Sequence, residues 1–184
     1  MIYELNMEIS VNSSVYFYKD TDAHGDGKLH ASWPWDMEHS LAREGGAASS
    51  WFAAASDLKP EGYWMQFYHH RDFAEAVYKE WMTKFVPALE KALNPETGYD
   101  PDGISSLDWY LGYYGTDAQI NESRWNGSGF AEKLEKIRRI YTVRLDFLTE
   151  ALGLYDTDYI YFYKENGILY GVNAQEESIP VENP

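Results

Sequence analysis

The stretch SGFAEKLEKIRRIYTVRLDFLTEALG, from Ser128 to Gly153, decides the fold class. Phe130, Leu134, Ile137, Tyr141, Leu145, Leu148 and Leu152 recur at three- and four-residue steps, which lines one face of a long helix with apolar side chains. Ser128 stands where an N-terminal cap accepts a backbone N–H, and Gly153 where a left-handed C-terminal cap ends a helix. Such a face needs partners to cover it. Upstream, Phe73, Val77, Trp81 and Phe85 recur every four residues, followed by Ala88, Leu89 and Ala92. This predicts a second long amphipathic helix from Arg71, kinked near Pro87 because proline has no N–H to donate. The Pro- and Gly-bearing run Asn94–Gly103 closes it. Ser105 or Ser106 caps a third helix to about Gly115, and a shorter one spans Thr116–Trp125 and breaks at Asn126-Gly127.

Strands flank this helical body. Ser14–Lys19 is β-rich, and Lys28–Trp35 is its expected hairpin partner. Between them Asp20, Asp22, His24 and Asp26 imitate the start of a calcium loop. The twelfth position is Ala31 rather than the bidentate Glu such a loop requires, so a polar turn is the better reading. Asp36–Pro60, rich in Ala, Gly and Ser, reads as a loop with a short helix near Ser49–Ala55. Tyr159–Lys164 alternates, Asn166-Gly167 supplies a tight turn, and Ile168–Val172 follows. Asn173–Pro184 reads as a polar tail or linker. The expected class is α+β: a small β-hairpin leading a mostly helical body, with a C-terminal β-hairpin. The corresponding divisions are residues 1–153, 154–172 and 173–184.

A length of 184 residues suits one domain, and 45% hydrophobic residues are enough for a core. The formal charge of −15 would repel nucleic acid. With no cysteine, thiolate metal sites and disulfides are excluded. No apolar run approaches a membrane span. Met1-Ile-Tyr3 leads straight into mixed sequence without a secretory leader, so an exported parent would carry its leader upstream. Aromatic residues make up 17% of the chain, and Trp and Tyr serve both as core and as flat platforms on which sugar rings stack.

Trp33-Pro-Trp-Asp-Met-Glu-His39 is the densest candidate site. Asp36 and Glu38, two apart, face the same side of an extended strand and offer hard oxygen ligands for Mg²⁺ or Ca²⁺. His39 adds a ligand or a proton carrier, and Trp33 and Trp35 flank the acids. Spacing alone equally fits a solvated acidic strand end with the tryptophans packed inside. His69-His70, adjacent at a helix start, point about 100° apart and suit capping or surface duty. Asn121, Arg124 and Trp125 form a compact group at a helix end, where Arg124 can pair with a carboxylate or phosphate. No Gly-rich phosphate loop and no nucleophile elbow is present.

Taken in order, several of these pieces resemble the CotH family of spore-coat and secreted kinase-like proteins. The resemblance runs through Tyr3-Glu-Leu5, Ser13-Ser-Val-Tyr-Phe-Tyr-Lys-Asp20, Gly27-Lys28-Leu29 and Pro34-Trp35-Asp36-Met37-Glu38. It continues through Trp64 to Phe73 and Trp81, Asn121-Glu-Ser-Arg124-Trp125, and Arg144-Leu-Asp-Phe-Leu148. It implies the C-lobe-like part of an atypical protein kinase fold and, in the parent protein, metal–ATP-dependent transfer of phosphate to protein serine. By that resemblance Asp36 holds the metal (Mg²⁺, or Ca²⁺ or Mn²⁺) that bridges the ATP phosphates, with Glu38 as second acid. It also implies a secreted or cell-surface location and a preceding lobe with a phosphate-binding Lys upstream of Met1. Two positions depart from the family pattern. Glu38 replaces an Asp, and Glu8 and Ser10 fall where active relatives show N-x-D, leaving Glu8 as the substitute general base. The alternative implied is a non-catalytic CotH-like scaffold, or a carbohydrate- or protein-binding module, in an extracellular assembly of polysaccharide-degrading type.

Overall fold

A computed structural model describes residues 1–8, 16–34, 37, 40–41, 48–50, 67, 70–125, 129–154, 159–173 and 175–181. Trp35, Asp36, Glu38, His39, Ser10, His69, Ser128 and all but the first two residues of the short helix expected near Ser49–Ala55 lie outside the described residues; Ser49 and Ser50 are not helical, and Ser50 forms a β-bridge to Tyr163.

A short helix α1 (Ile2–Asn6) opens the chain, and a two-stranded ladder β1 (Phe17–Tyr18) with β2 (His30–Ala31) follows. The ladder is antiparallel, pairing Phe17 with Ala31 and Tyr18 with His30, as the hairpin reading expects. Its polar turn is self-contained: Asp26 accepts the N–H of Lys28 at 2.9 Å and meets the His30 ring at 3.0 Å.

The helix expected from Arg71 forms in three parts: α2 (Arg71–Glu80), a π-helical turn (Trp81–Phe85) and α3 (Val86–Leu93). The sequence period explains the π turn. A four-residue repeat drifts by about 40° per step around an α-helix, and one extra residue in a turn absorbs that drift. Phe85 thereby stays on the side of Trp81, which is fully buried and stacked on it, and Val77 packs against the same core. Pro87, in the first turn of α3, has no N–H for the Thr83 carbonyl.

α4 (Leu107–Trp125) runs unbroken where two helices were expected. Ser106 is its cap, accepting the N–H of Trp109 at 3.1 Å. In α5 (Phe130–Leu152) the side chains fully buried are Ile140, Arg144, Phe147, Leu148, Ala151 and Leu152. The inner face is therefore turned from the predicted one, of which only Leu148 and Leu152 are wholly inside; the rotation brings Arg144 inward. Gly153 is right-handed (φ −74°) rather than the left-handed cap expected. At the other end Gly129 (φ 55°) precedes the helix, and the Glu122 carboxylate of α4 accepts the first N–H, that of Phe130. A carboxylate there is favoured by the helix dipole.

β3 (Tyr159–Glu165), β4 (Ile168–Asn173) and β5 (Ser178–Pro180) form an antiparallel sheet. Asn166 (φ 50°) and Gly167 (φ 80°) make the tight turn predicted. Gly171 is dictated by packing, since a Cβ there would sit 2.5 Å from the Tyr159 ring. β5 arises within the stretch read as a polar tail. The main core joins Leu5, Trp81, Leu89, Phe147, Leu148, Phe162 and Leu169, so α1, the π turn, α3, α5 and the sheet share one interior. No described helix is long and apolar enough to cross a membrane.

Candidate functional site

Two places concentrate chemistry. The first lies where α1 ends. Met7 takes a left-handed conformation (φ 54°) and buries its side chain against Ala48, Ile140 and Leu41. That reversal carries Glu8 inside, at 0% exposure. Its Oε2 accepts the Ser40 hydroxyl at 3.0 Å, and the Leu41 N–H donates to the Asn6 carbonyl at 2.8 Å. The chain following the Trp33–His39 motif thus returns to residues 6–8. Asp36 and Glu38 themselves are outside the described residues. Trp33 is described, and it stands 89% exposed rather than packed in a core.

Arg144 of α5 is fully buried and ties α1 to residues 48–50. One terminal nitrogen donates to the Ala48 carbonyl at 3.2 Å and the Ser50 carbonyl at 2.6 Å; the other reaches the Glu4 carboxylate at 2.6 Å and the Glu4 carbonyl. Residues 49–50 in turn pair with the outer edge of β3, through Lys164 N–H to Ser49 at 2.6 Å. The sequence signal for this residue was only its place in the Arg144–Leu148 motif. Nothing in the spacing announces a charge on the inner face. Among the described residues no three His, Asp or Glu side chains converge as cation ligands.

The second place is an open cleft of about 620 Å³ between the loop at Gly98–Ser105 and the first half of α4. The loop is tightly self-bonded. Ser105 Oγ accepts the Asp100 N–H at 3.0 Å, Asp100 accepts the Asp102 N–H at 3.1 Å, and the Ser106 N–H donates to the Gly98 carbonyl at 3.0 Å. Lys91 of α3 closes on Asp100 at 3.1 Å, and this ammonium, with the backbone amides of Asp102 and Gly103, holds the carboxyl below its ordinary range. Asp100 is therefore an anion at neutral pH. Arg138 of α5 fixes the base of α4 through Asp108 at 2.8 Å and the end of α3 through the Leu93 carbonyl at 3.1 Å.

On this frame the rings assemble. Tyr99 and Tyr113 each stack on Trp109 with centroids 4.9 Å away, and Tyr114 meets Tyr113 edge-on at 4.7 Å. Tyr110 also stacks on Tyr114, at 6.3 Å. Tyr99 is 61% and Tyr113 65% exposed. The sequence carried a signal for this in two aromatic pairs at i, i+4 (Trp109 with Tyr113, Tyr110 with Tyr114), neighbours on one helix surface. What it could not give was Tyr99, brought in by the loop.

Asn121, Arg124 and Trp125 do gather at the last turn of α4, as expected, with Trp125 75% exposed. Arg124 has no polar partner among the described residues. No family model, curated protein or solved structure matches this chain.

Proposed function

We propose that this chain is a CotH-like, kinase-derived module that acts by binding rather than by phosphoryl transfer, as part of an extracellular assembly. The observation that carries the reading is Glu8. A general base must come within hydrogen-bond reach of the proton it takes. Glu8 is instead sealed inside and occupied by the Ser40 hydroxyl. Ser10, the other residue at the family's base position, has no carboxylate to offer.

The test is incubation with γ-labelled ATP, Mg²⁺ or Mn²⁺, and casein as serine-bearing acceptor. The expected result is no label in casein or in the chain itself. Transfer that disappears in Glu8→Gln or Asp36→Asn would overturn the proposal.

That outcome would favour the second reading, a working protein serine kinase part. Under it Asp36 and Glu38 hold the cation of metal–ATP and Glu8 swings out as base. Its support is the pair of bonds from Ser40 and Leu41, which bring the chain four residues beyond Asp36 against Glu8 and Asn6. The cation would supply neutralisation of phosphate charge, the main demand of that chemistry. Calorimetry with Mg–ATP separates the readings further, since heat abolished by Asp36→Asn is required by the second alone.

A further inference from the structure

We infer that the cleft between the Gly98–Ser105 loop and α4 is a binding site for the pyranose rings of a neutral polysaccharide. This names the ligand of the binding module proposed above.

Four observations converge. The first is exposure. Tyr99, Tyr110, Tyr113 and Tyr114 are all exposed and continuous through Trp109, a contiguous ring surface of the kind that marks an interaction site. The second is that the rings are held before any ligand arrives. Tyr99 sits on a loop pinned by Ser105, Asp100 and Lys91, while Trp109 and Tyr113 share one helix surface. Little side-chain freedom remains to be lost on binding, which is what makes a weakly attractive flat surface useful.

The third observation concerns edges. A pyranose offers C–H faces to aromatic rings and hydroxyls around its rim, so its site needs ring faces beside acceptors and donors. The cleft supplies the ionised Asp100 as acceptor, and tyrosine hydroxyls, which both donate and accept. The fourth is charge. The chain carries −15, and aromatic faces are themselves negative. Uronic-acid chains, sulfated glycans and phosphates are repelled, and a neutral chain is not. A proline-rich peptide also docks on aromatic grooves, but it presents carbonyl acceptors and few N–H groups. It would set those carbonyls against the Asp100 carboxylate. The volume of about 620 Å³ lies in the range of small-molecule sites, about 300–1,000 Å³.

Affinity electrophoresis of the intact chain tests this, in native gels containing hydroxyethylcellulose, xylan or galactomannan, with polygalacturonate and a proline-rich peptide in parallel. At least one neutral polysaccharide should retard the chain while polygalacturonate does not. Tyr113→Ala and Tyr99→Ala, both at exposed positions, should each weaken retardation about tenfold, the loss of one stacked ring. Asp100→Asn should weaken it while leaving the fold intact by circular dichroism. Three results overturn the site: no retardation by any neutral polysaccharide, retardation indifferent to Tyr99 and Tyr113, or binding confined to the proline-rich peptide. None of them bears on label transfer from ATP, so failure here and failure of the binding-module proposal remain distinguishable.

Discussion

Arg144 donates from its two terminal nitrogens to four oxygens on two distant stretches of chain, Glu4 and residues 48–50, and its Nε has no partner among the described residues. Removing the arginine takes one charged donor from the buried Glu4 carboxylate and from three carbonyls. Arg144→Met should therefore cost about 3–5 kcal/mol in urea unfolding, the usual price of orphaning one half of a buried pair. Arg144→Lys should also destabilise, because a single ammonium cannot span the planar fork that meets both strands of contacts. The double variant Arg144→Met with Glu4→Leu should lose less than Arg144→Met alone, since the orphaned charge is gone. A single variant as stable as the parent would show that the junction contributes nothing. The same residue shows why the α5 face was misread. Hydropathy patterns assign charge to the solvent side, and a charge that is inside because it is paired moves the real face away from the apparent one. Glu8 is likewise inside against its hydropathy, since nothing local says that Met7 will turn left-handed and carry it inward.

At the scale of elements, period was informative and continuity was not. The four-residue repeat of Phe73, Val77, Trp81 and Phe85 identified the inward side of the α2–α3 segment, whereas the irregularity was expected near Pro87 and falls at the π turn Trp81–Phe85. α4 was read as two helices divided after about Gly115, yet it runs unbroken from Leu107 to Trp125, through Gly112 and Gly115. Its capping by Ser106 and its anchorage through Arg138 outweigh two glycines whose positions no described neighbour demands. Among the described residues a Cβ added at either would meet nothing within 4 Å. Gly112→Ala and Gly115→Ala should each stabilise the protein by about 0.5–1 kcal/mol, through the backbone freedom an alanine lacks when unfolded. Urea midpoints of the two single variants and the pair measure this, and the two increments should add if the helix remains one piece. A decrease in either would mean that the glycines accommodate a bend. Because α4 presents Trp109 and Tyr113, a stiffer helix should leave any binding of polysaccharide in the proposed cleft unchanged, the rings being already held.

Across the whole molecule, the α+β class and the terminal hairpin were legible because they rest on local chemistry: Asn166-Gly167 can only turn, and α5 can only be a helix. Contacts that join distant stretches, such as the pairing of residues 49–50 with β3 and the addition of β5, leave no local mark and were not legible. Two of those long-range joints also set the response to alkali. Tyr141 of α5 donates its hydroxyl to Asn6 of α1 at 2.8 Å, and burial raises its pKa above the ordinary 10.0. Lys164 of β3 pairs with Asp146 at 2.7 Å and Glu150 at 3.0 Å on α5, and Asp146 above all raises its pKa above the ordinary 10.5. A pKa higher folded than unfolded gives stability that is complete below the unfolded value and lost as pH climbs through the folded one. Both joints should therefore hold at neutral pH and weaken together above about pH 10, where the phenolate must leave its buried site and the ammonium gives up its pairs. The growing negative charge adds general repulsion over the same interval, and added salt screens that part, not the buried phenol. Thermal melting followed across pH 7–11 at high salt should thus fall less steeply in Tyr141→Phe than in the parent. An identical slope in the two would exclude Tyr141 as a source of alkaline unfolding and leave Lys164 and net charge to account for it.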